Sequence, residues 1–598
     1  MVVRLRSGSE VEEITREFPE SYVSAISDSK TISLIAPSSK IATIRAYIEK
    51  LGLSSKMVHM RSNIHNPKNK TLADELLAFC LHSSDLQLPN SEDLQVPSHR
   101  IAMIGLGDCI PLSPFHQNNL DITKLDVMSI TEDLKKPTRD HFLSSVDLFP
   151  PSSIAVVGAA CRLPGANTLE ELWDLISRGE SRLESLREDR VKLKESFRAS
   201  QDKDWATGRE WFGNFVDGID KFDHSFFGIS QKEAAYMDPQ QRLLLSCAYE
   251  AMDASGYLHN HRRENGDPIG CFIGASYTEY CENVTAYAPS AFAATGTIRA
   301  FLSGKVSYHF GWTGPSEVID TACSASLVAV HHACRAIQAG DCSMALAGGV
   351  NIITGIQNYI DLGRAGFLSK SGQCKPFDVS ADGYCRADGV GLVVLKPLSQ
   401  AIADRNHILG VIPASATNQG GLSHGITVPH GDAQKALYRQ IVKTAGIDPG
   451  QITYVESHGT GTQVGDPIEI ASIREVFGGP SRPSSVHIGS LKANVGHSET
   501  AAGVASLLKV LAMFAHRGIP PQAGFNTLNP KIPALEPDNL RIATKLVPWE
   551  AKTRMACVNS YGASGSNAAL ICSEWIAGMS AENTIEFGGL PLRTVYLI

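Results

Sequence analysis

A series of short apolar runs, each closed by glycine or another small residue, recurs along most of this chain and leaves few folds open to it. Ser153-Ile154-Ala155-Val156-Val157-Gly158 is the first. Similar runs follow at Ile269 to Gly274, Glu317 to Thr321, Met344 to Ile353, Val390 to Leu395, Ile452 to Glu456, Val486 to Leu491 and Ala556 to Cys572. Runs of this length without polar alternation are the mark of strands buried on both faces. Helical patterns lie between several of them, at Ser326 to Gln338 and Gly503 to His516. Strands alternating with helices predict an α/β protein with substantially buried sheets. The element count fits a duplicated α/β half, with one copy on each side of about residue 400, although no repeat is visible as sequence identity.

Composition narrows the function. Of 598 residues 43% are hydrophobic, enough for a sizeable core, which excludes a mostly disordered chain. Lys and Arg total 54 against 62 Asp and Glu, a net charge of −8, and no basic tract interrupts that balance. A nucleic-acid partner is therefore not expected. The N-terminus turns polar before any signal-peptide core could form, and the apolar helix pattern at Leu507 to Ala515 is too short to span a bilayer. The expectation is a cytoplasmic protein with no membrane partner. The 13 cysteines are odd in number and contain no Cys-x-x-Cys pair, so most should be buried thiols, and neither a disulfide framework nor a metal site is expected.

One cysteine stands apart. In Glu317-Val318-Ile319-Asp320-Thr321-Ala322-Cys323-Ser324-Ala325-Ser326 a strand runs through small residues into a helix, which puts Cys323 on a tight turn at a helix N-terminus. Backbone N–H groups and the helix dipole there favour thiolate over thiol, and small neighbours admit an acyl group. Two histidines lie at comparable strand ends beside glycine: His458 in Glu456-Ser457-His458-Gly459-Thr460-Gly461-Thr462, and His497 in Lys492-Ala493-Asn494-Val495-Gly496-His497. A nucleophile with two imidazoles suits covalent acyl chemistry. The loop Asn559-Ser560-Tyr561-Gly562-Ala563-Ser564-Gly565 could offer N–H groups to an oxyanion. Asp238-Pro239-Gln240-Gln241 and Asp466-Pro467-Ile468-Glu469 read as helix starts, each with Asp as N-cap and Pro at the first helical position.

Taken together, these residues bear a family resemblance. From 153 to 574 the chain resembles a β-ketoacyl synthase domain of the thiolase fold, the polyketide synthase type. The resemblance is carried by Asp320-Thr321-Ala322-Cys323-Ser324, His458-Gly459-Thr460-Gly461-Thr462, Lys492 through His497, Asn559-Ser560-Tyr561-Gly562, Met237 to Arg242 and Gly372 to Asp378. Gly296 to Phe301 and Phe310 to Pro315 resemble the fungal non-reducing subgroup. The resemblance implies duplicated α/β halves layered α-β-α-β-α and a homodimer. It implies Cys323 as acyl-accepting nucleophile and His458 and His497 as promoters of malonyl decarboxylation. Lys492 would orient the site, Ala563 and Cys323 N–H groups would form the oxyanion hole, and Thr460 and Thr462 would bond a phosphopantetheine arm. That arm would be carried by a partner acyl carrier protein, malonyl- or acyl-loaded, with no cofactor bound directly. One departure is Arg386-Ala387-Asp388-Gly389, where the wider family usually has Gly-Glu-Gly after the Arg.

Residues 1–125 resemble part of a starter-unit acyl carrier protein transacylase, through Tyr22 to Ile26, Ile64-His65-Asn66-Pro67 and Gly105 to Pro111, with His65 at the family's catalytic histidine. The expected organisation is that partial α/β region, a linker over 126–152, the synthase over 153–574 and a tail over 575–598. A truncated synthase fragment, a catalytically silent dimeric scaffold and a thiolase using a second cysteine are the competing readings. The intact Cys323, His458 and His497 favour the condensing enzyme over a scaffold, and the histidine pair disfavours a thiolase.

Overall fold

The computed structural model describes residues 149–191, 208–260, 266–286, 288–422 and 425–576, with short backbone segments within the first 56 residues. The chain divides into two compact units, 1–139 with 582–598 and 140–581. In the first, Tyr22–Asp28, Thr31–Ile35, Val2–Arg4 and Ser54–Lys56 pair in that order as an antiparallel sheet. Helix Ile41–Lys50 buries Ile44 and Ile48, one turn apart on a single face. His65, the stretch Gly105 to Pro111, most of the expected linker and nearly all of the expected tail lie outside the described residues.

The second unit is built on an eleven-stranded sheet. In chain order its strands are β1 (Ile154–Arg162), β2 (Ile269–Gly274), β3 (Ser316–Ile319), β4 (Met344–Asn351), β5 (Gly389–Pro397), β6 (Gly410–Gln419), β7 (Tyr454–Glu456), β8 (Val486–Gly489), β9 (Leu540–Ile542), β10 (Met555–Tyr561) and β11 (Ser566–Ser573). The spatial order is β9-β8-β7-β10-β11-β6-β1-β5-β4-β2-β3. The first half follows β1-β5-β4-β2-β3 outward from the centre, and the second follows β6-β11-β10-β7-β8, the same permutation with β9 added at the edge. The pairing senses repeat too: β4, β2 and β3 run parallel, as do β10, β7 and β8, while β5 and β11 are antiparallel to their neighbours. The two halves meet where β6 pairs antiparallel with β1. The duplication is thus real, though it lives in topology and not in residue identity.

Helices complete the layers. They include α1 (Pro239–Ala254), α2 (Ala300–Phe310), α3 (Ala325–Ala339), α4 (Gly431–Ala445), α5 (Gly465–Phe477) and α6 (Ala502–His516). Helix α3 packs on β2, β3, β4 and β5 of the first half and on β6 and β11 of the second, and against α6. These two helices form the middle layer, and their apolar residues join the inner faces of both half-sheets in one core. Helices α1 and α2 close the outer face of the first half, and α4 and α5 that of the second. This is the α-β-α-β-α layering of the thiolase-like fold. Because α6 is enclosed on all sides it is apolar nearly all round, and its one charge, Lys509, pairs with buried Glu456 at 2.7 Å.

Two readings of local sequence need correction. Strand β6 was not foreseen, because Pro413 and the polar Ser415 and Thr417 break the apolar run. The structure absorbs Pro413 at a register shift between Val411 and Ala414. The helix start at Asp238 is as expected, its carboxylate accepting from Gln240 N–H at 2.8 Å. Asp466 is not an N-cap. It sits inside the first turn of α5, and its carboxylate accepts from the N–H groups of Phe377 at 2.8 Å, Gly461 at 3.2 Å and Thr462 at 3.4 Å. It fixes the loop before the helix to a distant turn.

Candidate active site

The duplicated topology explains where the candidate reactive side chains lie. Cys323 follows β3, the third strand of the first half, and precedes α3. His497 follows β8, the third strand of the second half, and precedes α6. The two occupy equivalent strand-to-helix turns, and His458 comes from the end of neighbouring β7. Residues 174 positions apart are joined because the halves face each other across the α3–α6 layer.

The turn at Cys323 is tight. Ala322 has φ +54°, in the left-handed region. Ser324 Oγ donates to Thr321 O at 2.9 Å, and Ser560 Oγ donates to Cys323 O at 2.8 Å. The loop after β10 approaches so closely that a Cβ on Gly562 would stand 2.2 Å from Thr321 O, so only glycine fits there. The backbone N–H groups of the next residue, Ala563, and of Cys323 itself both favour the ionised form of the thiol.

Those donors pull the thiol in the direction expected from the helix terminus, as does Lys492. Burial and the Glu499 carboxylate outweigh them and push Cys323 up to about 12. Burial thus works against the thiolate that the helix terminus favours.

Both histidines are neutral. Their rings meet edge to face at 5.5 Å between centroids. Burial, with Lys492 as a neighbouring positive charge, holds each well below the ordinary histidine range; His497 also lowers His458, and Arg386 lowers His497. Tyr561 N–H donates to His458 Nδ1 at 3.4 Å, which leaves the proton on Nε2. His497 is anchored by its backbone, donating to Cys385 O at 2.8 Å and accepting from Ala387 N–H at 2.9 Å. Lys492 is buried and its Nζ has no hydrogen-bond partner among the described residues. Burial lowers its pKa, and Glu456 and Glu469 oppose that. Thr460 and Thr462 lie half-buried on the His458 loop, and Thr462 Oγ1 accepts from Gly465 N–H at 3.1 Å.

A set of buried charges behind these residues escaped sequence reasoning. Glu469 accepts the N–H groups of His458 at 2.7 Å and Gly459 at 2.9 Å. Glu456 accepts from Leu491 N–H at 2.7 Å, fixing the turn before Lys492. Arg386 makes two bonds to Glu499, at 2.9 and 3.1 Å, and one to Glu279 at 2.9 Å. The Ala387-Asp388 departure is fully accommodated: buried Asp388 accepts from Ile353 N–H at 2.7 Å, Val216 N–H at 3.0 Å and Arg190 at 2.9 Å. A carboxylate standing at the end of an apolar run, as Glu456 does, was the available signal. Among the described residues no group of three or more His, Cys, Asp or Glu is placed to hold a metal ion. No helix among them is long and apolar enough to cross a membrane.

The fold is that of the thiolase-like class, to which condensing acyltransferases belong. The chain matches the family models "Beta-ketoacyl synthase, N-terminal domain" over residues 152–401 and "Beta-ketoacyl synthase, C-terminal domain" over 409–526. It belongs to the β-ketoacyl synthase family. Among solved structures it is similar to the ketosynthase from module 6 of the bacillaene synthase of Bacillus subtilis 168, with a TM-score of 0.63 and 36% identity, covering 71% of this chain and 72% of that one. Among curated proteins it is 58% identical to the non-reducing polyketide synthase ascC of Acremonium egyptiacum and 56% identical to stbA of Stachybotrys bisbyi. Each alignment covers 96% of this chain, and the chain spans 29% and 28% of those relatives' length.

Proposed function

We propose that this chain is the polyketide chain-elongating part of a fungal non-reducing synthase and catalyses decarboxylative Claisen condensation. The Cys323 sulfur attacks an acyl thioester on the phosphopantetheine arm of an acyl carrier protein, and its proton leaves on the pantetheine thiol. A malonyl-loaded carrier protein then enters, its arm bonded by Thr460 and Thr462. The bond to the malonyl carboxylate breaks, carbon dioxide departs, and the electron pair becomes an enolate. His458 and His497, as neutral donors, hydrogen-bond the enolate oxygen. The enolate carbon attacks the Cys323 thioester, the N–H groups of Cys323 and Ala563 hold the oxyanion, and sulfur leaves to be reprotonated. Lys492 contributes positive potential throughout.

The observation that carries this reading is that adjacent Ser560 and Tyr561 bond Cys323 O at 2.8 Å and His458 Nδ1 at 3.4 Å, while the His458 and His497 rings meet at 5.5 Å, which gathers one thiol and two imidazoles. It favours an enzyme over a silent scaffold, which has no use for such an arrangement. We read the protein as a cytoplasmic homodimer, since among the described residues β3 ends the sheet with an open edge that a second copy could pair. Residues 1–125 are read as a partial starter-unit transacylase region, on the resemblance carried by Tyr22 to Ile26, Ile64-His65-Asn66-Pro67 and Gly105 to Pro111. The test is incubation with malonyl-carrier protein: carbon dioxide release that disappears in His458→Ala and His497→Ala is expected, and no release from the unaltered chain would overturn the reading.

A further inference from the structure

Glu279 is held from several sides: it accepts from Arg386 at 2.9 Å, from Thr354 N–H and Gly355 N–H, each at 2.9 Å, and from Asn358 Nδ2 at 2.6 Å. Arg386 also bonds Glu499 twice, at 2.9 and 3.1 Å. Two phenols in the same neighbourhood are different.

Tyr277 follows β2, and its backbone carbonyl is held by Gln240 Nε2 at 2.9 Å. Its side chain is 39% exposed, and the Arg386 guanidinium lies 6.0 Å from its ring. Tyr384 precedes β5 by a few residues, and its half-buried ring meets that of His497 at 5.0 Å and 73°. Neither hydroxyl has a hydrogen-bond partner among the described residues. Arg386 and His497 are bridged through their backbones, so the ring beside Arg386 and the ring against His497 border the same corner of the site. Burial raises both above the ordinary phenol range, so each keeps its proton and remains a donor.

We propose that Tyr277 and Tyr384 are specificity-determining residues, their hydroxyls donating hydrogen bonds to the keto oxygens of a β-ketoacyl chain carried on Cys323. The proposal rests on the condensing reading above and names which acyl chains that site prefers. A chain that keeps a ketone on alternate carbons supplies an acceptor beside each thioester, whereas a saturated chain of equal length supplies none. A donor drawn out of water gains from such an acceptor and is left unpaired by a methylene, which is how a polar pocket discriminates between chains of similar size.

The test uses the full chain with Tyr277→Phe, Tyr384→Phe and the double variant, loaded from acetoacetyl- and butyryl-N-acetylcysteamine, two thioesters with the same number of acyl carbons. Intact-mass measurement of the Cys323 adduct gives kcat/KM for each. Each single variant should lose about fivefold for acetoacetyl transfer, and the double variant more, while butyryl transfer stays unchanged and reports an intact fold. An equal fall for both thioesters would make the tyrosines structural and overturn the proposal, as would acetoacetyl transfer unaltered in the double variant. Failure of the unaltered chain to form an adduct on Cys323 from either thioester would overturn the condensing reading itself, and the proposal with it.

Discussion

Glu469 holds His458 by its backbone: one carboxylate oxygen accepts the His458 N–H at 2.7 Å and the other accepts that of Gly459 at 2.9 Å. Glu469 lies on α5, so the orientation of the imidazole is tied to a helix of the outer layer. Its carboxyl stands above the usual range because burial outweighs these two bonds. Glu469→Ala should leave both donors buried and unpaired, at about 1–3 kcal/mol each. Urea unfolding should register the loss. Carbon dioxide release should fall while Cys323 still takes up an acyl group, and equal loss of both steps would contradict this.

Gly562→Ala should disrupt the nucleophile turn. Its Cβ would press on Thr321 O, which is backbone and cannot step aside. Displacing the loop should cost about 1–3 kcal/mol, typical of overpacking, and carry the Ala563 N–H away from the thiol. Acyl transfer onto Cys323 should slow by about tenfold or more, as for loss of an oxyanion donor. A rate unchanged from the parent would show that Ala563 contributes nothing.

Acylation should also depend steeply on pH. With the Cys323 thiol pushed up to about 12, the thiolate fraction rises tenfold per pH unit through the alkaline range. The rate of adduct formation from a simple thioester should climb with unit slope from about pH 7 to pH 10. A plateau near pH 8 would mean that the helix terminus outweighs burial.

The histidines predict opposite behaviour. Both are lowered well below 6.5, so both remain neutral above that value and their contribution to decarboxylation should be flat there. The same shifts bear on stability. A base whose folded pKa is depressed adds stability that is full above its unfolded value and is lost as pH falls toward the folded one. Acidification below pH 6.5 should therefore destabilise the parent more than a His458→Ala, His497→Ala double variant, as denaturant midpoints across that range would show.

Asp388→Ala should be among the more damaging single changes. Arg190 is 5% exposed at its side chain and Asp388 is fully enclosed, so removing the carboxylate strands a buried charge and two N–H groups. A loss of about 3–5 kcal/mol is expected. Asp388→Asn, which keeps an acceptor, should lose less, and the ordering can be read from urea midpoints.

Much of this was written in local sequence. Apolar runs such as Ile269 to Gly274 identify strands because burial on both faces demands unbroken hydrophobicity. Cys323, His458 and His497 could be singled out because small residues and glycines beside a strand end mark places where a substrate or another backbone comes close. The helix starting at Pro239 was legible because its cap lies two residues from the group it satisfies. The rest depends on separations the chain does not encode locally. The matching strand order of the halves is a pattern of pairing, not of residues. Asp466 looked like a cap because its spacing suited one, yet Phe377, far away in sequence, claims its carboxylate. Burial and Glu499 raise the Cys323 thiol against the lowering effect of the N–H groups at its turn. The sequence determined which groups could react, and the packing of the two halves determined their protonation, because desolvation and long-range charge are properties of the assembled interior.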